Sequence, residues 1–260
     1  MTKEQAKEQL KKVWSLPAGA NFQTHHMCPG CGEPMAYRMI AEVMDEMGLR
    51  EKMVHVAGIG CYGALDAVLS VDKVSALHGR APSVATGVKR MLPDRFVLTI
   101  QGDGDLVSEG IAEAVHCGAR GEKFTTILLN NAVNGETGGH MTSTTLVGQK
   151  TKSTLEGRDP NVHGRPIKTA ELLAQLDGTS YSARGSVHSP AAIKRTKRMI
   201  RNAFETQLAG TGFSFVEILT MCPTGWFMQT WEAPKWMEDT MTKYFTLGEF
   251  KVPEAVKSAA

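Results

Sequence analysis

Two cysteines lie three residues apart in the segment HHMCPGCGEP, which covers residues 25–34. Their thiolates could bind a zinc ion, form a redox-active disulfide, or hold one edge of an iron–sulfur cluster. The two glycines and two prolines of the segment are typical of turns. The residues around Cys28 and Cys31 leave all three kinds of site open.

Two further cysteines follow predicted strands. Cys61 lies in AGIGCYG, where the first strand ends, and Cys222 lies in TMCPTGW, just past the last one. Four thiolates suit Zn²⁺ or an iron–sulfur cluster, but one close pair joined by two distant cysteines does not match a zinc ribbon or finger. If Cys61 and Cys222 were core residues, as free cysteines often are, the close pair would stand alone as a redox pair. Cys117 falls within a predicted helix and is expected to be buried.

An aspartate between two glycines follows the run FVLTI. Gly102 and Gly104 let the backbone approach a phosphate closely, and a helix predicted to begin near Ser108 offers free N–H groups. Asp103 offers a hard oxygen ligand for a divalent cation. The turn matches neither the G-x-G-x-x-G fingerprint, because Val107 occupies the third glycine position, nor a phosphate-binding loop that ends in G-K-[ST].

A pair of asparagines, Asn130 and Asn131, follows after the 25 intervening residues 105–129. In a parallel sheet this spacing is one helix plus one strand, which returns the asparagines to the same sheet edge as Asp103. A carboxylate, an amide oxygen and a loop carbonyl, completed by a diphosphate, would suit Mg²⁺. The sequence therefore predicts a magnesium and phosphate site at this edge.

Strands and helices alternate along the chain. The predicted strands cover residues 52–60, 95–101, 123–130 and 212–219, with a weaker one at 179–183, and the predicted helices cover 34–48, 83–92, 108–121 and 189–210. In the last helix Ser189 is the expected N-cap, Pro190 the first helical residue and Gly210 the C-cap. This order predicts an α/β fold, a parallel sheet with helices on both faces, as a single domain over residues 1–260.

The composition limits the class of protein. Hydrophobic residues make up 42% of the chain, which is enough for a core, and the formal net charge of +2 gives no basic field for nucleic acid. No apolar run has the length of a membrane span. The first fourteen residues predict a solvated amphipathic helix rather than a signal peptide, so we expect a cytoplasmic protein, in which cysteines serve metal binding or catalysis more often than disulfides.

The segment 146–168 is polar, basic and almost without periodicity. Long loops inside compact domains are usually either functional or disordered. Two interpretations remain open: a mobile, solvated loop, and a loop that packs on a partner or covers a site.

The spacing GDG-x25-NN resembles the thiamine-diphosphate motif of thiamine-dependent enzymes. The wider set of motifs resembles the β subunit of 2-oxoacid:ferredoxin oxidoreductases, and it consists of CPGCGE, GIGC, HGRAPSVATG, GDGD, NN, TGGHMTSTT, VGQKT and CPTGW, in family order from residue 28 to 226. The resemblance implies a thiamine-diphosphate-binding domain that also holds Mg²⁺ and a [4Fe–4S] cluster. It also implies a subunit of an enzyme that converts a 2-oxoacid and coenzyme A to acyl-CoA and CO2 and passes the electrons to ferredoxin. The stretches TGGHMTSTTLVGQKT and CPTGW favour 2-oxoglutarate or a branched-chain 2-oxoacid as the substrate.

The resemblance assigns a role to each matching residue. The implied cluster ligands are Cys28, Cys31, Cys61 and Cys222. The implied magnesium ligands are the side chains of Asp103 and Asn131 and the backbone carbonyl of Val133. The implied contacts to the cofactor are Glu33, Gly60, Cys61, Gly102, Gly104, Asp105, Asn134, Gly135, Glu136 and Thr137. His78 and Arg80 match a segment near the active site, where they would suit an anionic 2-oxoacid.

Three positions depart from the family pattern. Asn134 stands where relatives carry tyrosine, Glu136 where they carry methionine, and His140 where they carry glutamine. A carboxylate at Glu136 would repel a diphosphate unless it met Mg²⁺ or a base. The departures put the substrate and the cofactor contacts of this loop in doubt, but not Asp103 or the cysteines.

The resemblance also implies partner chains. An α subunit would supply the glutamate that activates the pyrimidine ring, and a γ subunit or a ferredoxin-like δ subunit would relay electrons to ferredoxin. Two alternatives stay open: a thiamine-dependent decarboxylase or carboligase subunit without a cluster, and a zinc-stabilised α/β binding module without catalysis.

Overall fold

Seven strands form one sheet in the computed structural model, which describes residues 15–21 and 25–254. The predicted N-terminal helix lies outside these residues. The strands are β1 (Met53–Ala57), β2 (Asp72–Ser75), β3 (Phe96–Gly102), β4 (Thr125–Asn130), β5 (Thr179–Ser186), β6 (Phe213–Leu219) and β7 (Gly248–Lys251). Their spatial order is β2-β1-β3-β4-β6-β5-β7, and all neighbours are parallel except β5 and β7. The predicted parallel α/β fold is confirmed.

Helices cover both faces of the sheet. They are α1 (Glu33–Glu46), α2 (Ala81–Met91), α3 (Ile111–Arg120), α4 (Pro160–His163), α5 (Thr169–Ala174), α6 (Pro190–Leu208), α7 (Ala233–Trp236) and α8 (Thr242–Tyr244), with 3₁₀ segments at Arg50–Lys52 and Cys61–Val68. One core cluster packs α1 and α6 on one face, and a second packs α2, α3 and α5 on the other. None of the helices in the described part of the chain is long and apolar enough to cross a membrane.

The central strands were predicted correctly because they are buried apolar runs. Every residue of β1, β4 and β6 is buried, as in a sheet that helices cover on both sides. The prediction missed β2 and β7, which lie at the two edges of the sheet. All four residues of β2 are exposed, so its sequence DKVS has no apolar run to identify it.

The boundaries of the four predicted helices differ from the prediction by about one to three residues at each end. The Ser189 hydroxyl accepts a hydrogen bond from the Ala192 N–H (3.3 Å) and caps α6 as predicted. At its other end α6 finishes at Leu208, so that Ala209 is the C-cap, and Gly210 follows with a φ of 64°. The start of the helix predicted near Ser108 differs as well. The chain forms a π-type turn over Gly104–Glu109, and α3 begins after it, at Ile111.

His55 lies at the centre of β1, fully buried, and neither ring nitrogen has a hydrogen-bond partner among the described residues. Burial, and to a lesser extent the charge of Lys73, lowers the pKa of His55 to about 3. The folded chain therefore keeps the ring neutral at pH values where the unfolded chain, with its ordinary pKa of about 6.5, is protonated. This stability is complete above pH 6.5 and is lost as the pH falls towards 3.

We expect His55→Leu to remove this pH dependence. Between pH 7 and pH 5 the unchanged chain should lose about 2 kcal/mol more free energy of unfolding than the variant, because only the unchanged chain takes up a proton on unfolding at position 55. Urea unfolding at the two pH values measures both losses. Equal losses in the two proteins would contradict the prediction.

Candidate active site at the carboxyl edge of the sheet

Four turns meet where the central strands end. They are residues 58–61 after β1, 102–105 after β3, 131–135 after β4 and 220–225 after β6. Because β1, β3, β4 and β6 are consecutive parallel neighbours, their carboxyl ends lie side by side at one edge. The predicted phosphate turn, the asparagine pair and two of the cysteines therefore share this edge.

Asp103 begins the turn after β3 and is only 2% exposed. Its Oδ2 accepts hydrogen bonds from the hydroxyls of Thr142 (2.6 Å) and Thr144 (2.5 Å). Burial raises the pKa of Asp103 to about 6, and the threonine hydrogen bonds partly oppose this shift. The two threonine hydroxyls thus hold the carboxylate in one orientation.

The asparagine pair shapes the loop after β4. The Asn130 side chain accepts a hydrogen bond from the Ala132 N–H (3.0 Å), and the Asn131 side chain accepts one from the Val133 N–H (3.1 Å). Ala132 has a φ of 59°, which is uncommon for a residue other than glycine. Such a conformation persists only where its surroundings enforce it. The Asn130 amide is in turn fixed, because it donates to Glu217 (2.7 Å).

Glu217 lies within a buried ion-pair network. Its carboxylate is 2.9 Å from the Arg184 guanidinium, and both side chains are fully buried. Arg184 also pairs with the partly exposed Glu171 and lies 5.2 Å from the ring centres of Phe245 and Phe250. A buried charge that loses its partner is costly, so this network holds the acceptor for Asn130 in place.

Two backbone carbonyls of the same loop accept hydrogen bonds from side chains, and a third accepts none among the described residues. The Trp226 indole donates to the Asn131 carbonyl (2.7 Å), and the Thr145 hydroxyl donates to the Ala132 carbonyl (2.7 Å). The Val133 carbonyl accepts no hydrogen bond within residues 15–21 and 25–254, although Val133 is only 1% exposed. Buried carbonyls normally have a partner, and a magnesium ion would supply one.

The sulfur atoms of Cys61 and Cys222 face the same point. A Cβ placed on Gly135 would lie 3.4 Å from each of them, so only glycine leaves this space open. Cys28 and Cys31 line the same cavity. The structure thus brings together the four cysteines that the sequence separates, whereas Cys117 is buried in α3.

The surroundings of Cys31, Cys61 and Cys222 favour the neutral form of their thiols. Burial, followed by the charge of Glu33, raises the pKa of Cys61 to about 12, and burial raises the pKa of Cys222 to about 12 and that of Cys31 still further. Thiolates here would need a bound cationic group to compensate their charge. No three His, Cys, Asp or Glu side chains among the described residues converge closely enough to hold a single metal ion.

Glu33 connects the cysteine and asparagine sites. It begins α1, is 2% exposed, and accepts a hydrogen bond on Oε1 from the Asn131 amide (3.3 Å). Its Oε2 has no partner among the described residues. Burial, with the charge of Asp103 next, raises the pKa of Glu33 to about 8, so the carboxyl holds a proton at neutral pH.

These groups surround a cavity of about 750 Å³, which is large enough for a cofactor. Its lining includes the four cysteines, Glu33, Gly60, Asn131, Gly135, Glu136, Gly138, Lys152 and Phe227. Three of the turns at the sheet edge contribute to this lining, and so do the start of α1 and the segment 146–168.

Asp105, which the resemblance assigns to the cofactor, lies on the far side of its turn and does not line the cavity. Its carboxylate accepts hydrogen bonds from the Tyr62 hydroxyl (2.6 Å), the Gln101 amide (2.8 Å) and the Gly79 N–H (2.5 Å). His78 Nδ1 is 3.0 Å from the same carboxylate. Asp105 thus ties the turns after β1 and β3 to the loop before α2.

Other residues to which the resemblance assigns a role make contacts within and between the loops near the cavity. Arg80 pairs with Glu113 and, like His78, is absent from the cavity lining. The Asn134 side chain lies over Gly104, where a Cβ would approach it to 3.1 Å. The Thr137 hydroxyl bonds to the His140 ring (2.8 Å) and braces the glycine-rich loop. The proposed catalytic roles of His78 and Arg80 stay predictions.

Several residues that build the site were not predicted from the sequence. Thr142 and Thr144 orient Asp103, while Thr145 and Trp226 fix the asparagine loop. The threonine-rich stretch TSTT carries no periodicity, and its contacts reach residues about forty positions away. The motifs TGGHMTSTT and CPTGW, which contain these residues, carry part of the family resemblance, but the resemblance assigned these four residues no role.

Comparison with known families places this fold and site in the class of thiamine-diphosphate-binding domains. Residues 53–218 match the family described as "Thiamine pyrophosphate enzyme, C-terminal TPP binding domain". The match covers the sheet from β1 to β6 and includes Asp103, the asparagine pair and the Val133 carbonyl.

Relatives narrow the class to a family. The chain is 37% identical to ketoisovalerate oxidoreductase subunit VorA of Methanothermobacter thermautotrophicus over 94% of its own length and 51% of that protein. It is 36% identical to 2-oxoglutarate synthase subunit KorB of Archaeoglobus fulgidus over 76% of its length and 69% of that protein. The chain belongs to the family of 2-oxoacid:ferredoxin oxidoreductase β subunits. It spans about half the length of the VorA relatives.

A solved structure agrees in fold. The 2-oxoglutarate:ferredoxin oxidoreductase from Magnetococcus marinus, with 2-oxoglutarate, coenzyme A and succinyl-CoA bound, superposes with a TM-score of 0.75 at 25% identity. The superposition covers 89% of this chain and 75% of that one.

We expect Glu217→Gln to cost about 3–5 kcal/mol of unfolding free energy, because it leaves the buried Arg184 charge short of its buried partner. Glu171→Gln is the matched control, since Glu171 pairs with the same arginine but is 30% exposed, and it should cost about 1 kcal/mol. Urea unfolding of both variants gives the comparison. Similar losses would show that Glu217 has no special place in the network.

Proposed function

We propose that this chain is the subunit of a coenzyme A-dependent 2-oxoacid:ferredoxin oxidoreductase that binds thiamine diphosphate, Mg²⁺ and one [4Fe–4S] cluster. The enzyme would oxidatively decarboxylate 2-oxoglutarate or a branched-chain 2-oxoacid to acyl-CoA and CO2. One observation carries the proposal: four cysteines line the cavity that also exposes the asparagine turn of a thiamine-binding domain. A decarboxylase needs no electron exit, whereas a ferredoxin-linked oxidation does.

The magnesium site would consist of the Asp103 carboxylate, the Asn131 amide oxygen and the Val133 carbonyl. The fit rests on the buried Val133 carbonyl without a hydrogen-bond partner and on the orientation of Asp103 by two threonines. Gly102 and Gly104 carry no side chain and would allow a diphosphate to approach the backbone. Oxygen ligands of this kind suit Mg²⁺, which is often shared with phosphates.

The four cysteine thiols would hold the cluster. Cys61 and Cys222 face the space that Gly135 leaves open, and Cys28 and Cys31 approach from the segment before α1. The buried thiols have raised pKa values, so the iron must displace their protons when it binds.

When bound, thiamine diphosphate supplies the electron sink for decarboxylation, and a [4Fe–4S] cluster accepts single electrons. The residues of this chain provide the surroundings. Glu33 holds a proton and can offer a hydrogen bond from its unpartnered Oε2 into the cavity. Asn131 orients Glu33, and the buried lining around them limits the access of water.

The reaction would need partner chains. We infer an α subunit that supplies the pyrimidine-side glutamate, and a γ subunit or ferredoxin-like δ subunit that passes electrons to ferredoxin. The names of the relatives, which call them subunits, support this assembly, and so does the VorA protein of about twice the length.

The second candidate is a cluster-free thiamine-dependent decarboxylase or carboligase subunit. The family match over residues 53–218 supports this candidate as well, because the matched residues do not include Cys28, Cys31 or Cys222. Iron content distinguishes the two functions.

We expect the protein, expressed with its partners and purified without oxygen, to carry about four iron atoms per chain at this site. Cys61→Ser and Cys222→Ser should each lose most of this iron, because each removes one of four thiolates. Cys117→Ala is the control and should keep it, since Cys117 lies in α3. Iron and sulfide analysis of the three variants is the measurement. A protein that binds only zinc, or keeps its iron in every variant, would contradict the cluster assignment.

Asp103→Ala should weaken the binding of thiamine diphosphate in the presence of Mg²⁺ about 100-fold, because it removes the one charged ligand of the ion. Asp177→Asn removes a charge on the exposed surface and should leave the affinity unchanged. Titration calorimetry with and without Mg²⁺ tests both. The magnesium site would be misplaced if the two variants bound the cofactor equally well.

A further inference from the structure

The segment 146–168 brings a cation to the rim of the cavity. Lys152 is exposed, and its ammonium lies over Gly138 so closely that a Cβ on Gly138 would approach Nζ to 2.5 Å. Among the described residues that line the cavity, Lys152 is the one lysine or arginine. Its ammonium makes no hydrogen bond or ion pair within the described part of the chain.

The backbone around Lys152 is fixed. The Lys152 N–H donates to the Gly139 carbonyl (2.9 Å), and the hydroxyls of Thr151 and Thr154 bond to each other (2.7 Å). Arg158, 4% exposed, donates to the Thr145 carbonyl (2.6 Å) and anchors the segment beside the asparagine loop. The backbone of the segment is therefore held in place beside the asparagine loop, and it carries Lys152 to the cavity.

We propose that Lys152 binds an anionic group of a substrate that the reaction leaves intact. This inference rests on the proposed function. The 2-oxoacid carboxylate that departs as CO2 loses its charge, so an ammonium that held it would stabilise the ground state more than the transition state. A phosphate of coenzyme A, or the second carboxylate of a dicarboxylic 2-oxoacid, keeps its charge and can be held throughout.

Lys152 lies apart from the residues proposed to bind magnesium. Asp103 and Val133 are buried and do not line the cavity, whereas Lys152 is exposed and lines it with Phe227, whose side chain is 60% exposed. A small reacting acid can enter past these residues, and a larger substrate would leave its charged portion at the rim. Glu136 lines the same cavity and would repel an anion that lacked this ammonium.

The test uses Lys152→Met in the complete complex, with Lys150→Met as the matched control, because Lys150 is exposed on the same segment but does not line the cavity. For each complex, kcat and KM are measured for coenzyme A, for 2-oxoglutarate and for 3-methyl-2-oxobutanoate, which has one carboxylate. We expect Lys152→Met to raise one KM about 10- to 100-fold, the range of a hydrogen bond to a charged group, and Lys150→Met to change none.

The pattern identifies the anion. A higher KM for coenzyme A with both acids supports a phosphate contact, and a higher KM for 2-oxoglutarate alone supports a carboxylate contact. The proposal is overturned if the two variants behave alike, if kcat falls for every substrate with unchanged KM values, or if only the affinity for thiamine diphosphate falls.

Binding of coenzyme A and of 2-oxoglutarate to the same complexes is measured by calorimetry as well. If the unchanged complex oxidised no 2-oxoacid, the proposed function would fail, and the calorimetry would still decide whether Lys152 binds either anion. Equal affinities in both variants would then reject its role. Matching thermal unfolding of the two variants shows that the substitution has not disturbed the fold.

Discussion

The hydrogen bond between Asn130 and Glu217 is the contact on which the site depends. Glu217 is fully buried and must keep its ion pair with Arg184, so its position is fixed by the core of the sheet. Asn130, which Glu217 holds in place, accepts a hydrogen bond from the Ala132 N–H. This hydrogen bond helps to keep Ala132, between Asn131 and Val133, in its left-handed conformation. The loop that carries Asn131 and Val133 is thus oriented by a charge pair on β6 and β5, the two strands that follow β4 in the sheet.

The second constraint is the set of contacts that residues 142–145 make with the turns at the carboxyl edge of the sheet. The threonines of the segment 142–145 bind Asp103 with two hydroxyls and the Ala132 carbonyl with a third, which joins the turns after β3 and β4. The same return path continues into the segment that carries Lys152. One continuous stretch of chain therefore orients Asp103, contacts the asparagine loop and carries the cation at the rim of the cavity.

The sequence predicted the parts of this arrangement that local pattern determines. Buried apolar runs identified β1, β3, β4 and β6, and the spacing between Asp103 and Asn131 placed both at one edge. The exposed strand β2 has no such run, and the threonine contacts and the ion pair of Arg184 are long-range, so no local signal revealed them. Sequence resemblance singled out the four cysteines, but only the fold shows Cys61 and Cys222 facing the gap at Gly135. The resemblance gave Asp105 as a cofactor contact, which stays a prediction, and no local signal revealed that its carboxylate binds Tyr62, Gln101 and Gly79.

We propose that one cavity holds an iron–sulfur cluster beside thiamine diphosphate. Anomalous diffraction at the iron edge, from crystals of the complete complex grown without oxygen and with the cofactor and Mg²⁺, would locate the iron. We expect an iron signal enclosed by Cys28, Cys31, Cys61 and Cys222, next to a cofactor whose diphosphate meets Asp103 and Asn131 through the ion. A disulfide between Cys28 and Cys31, or a single zinc ion in place of the cluster, would contradict it.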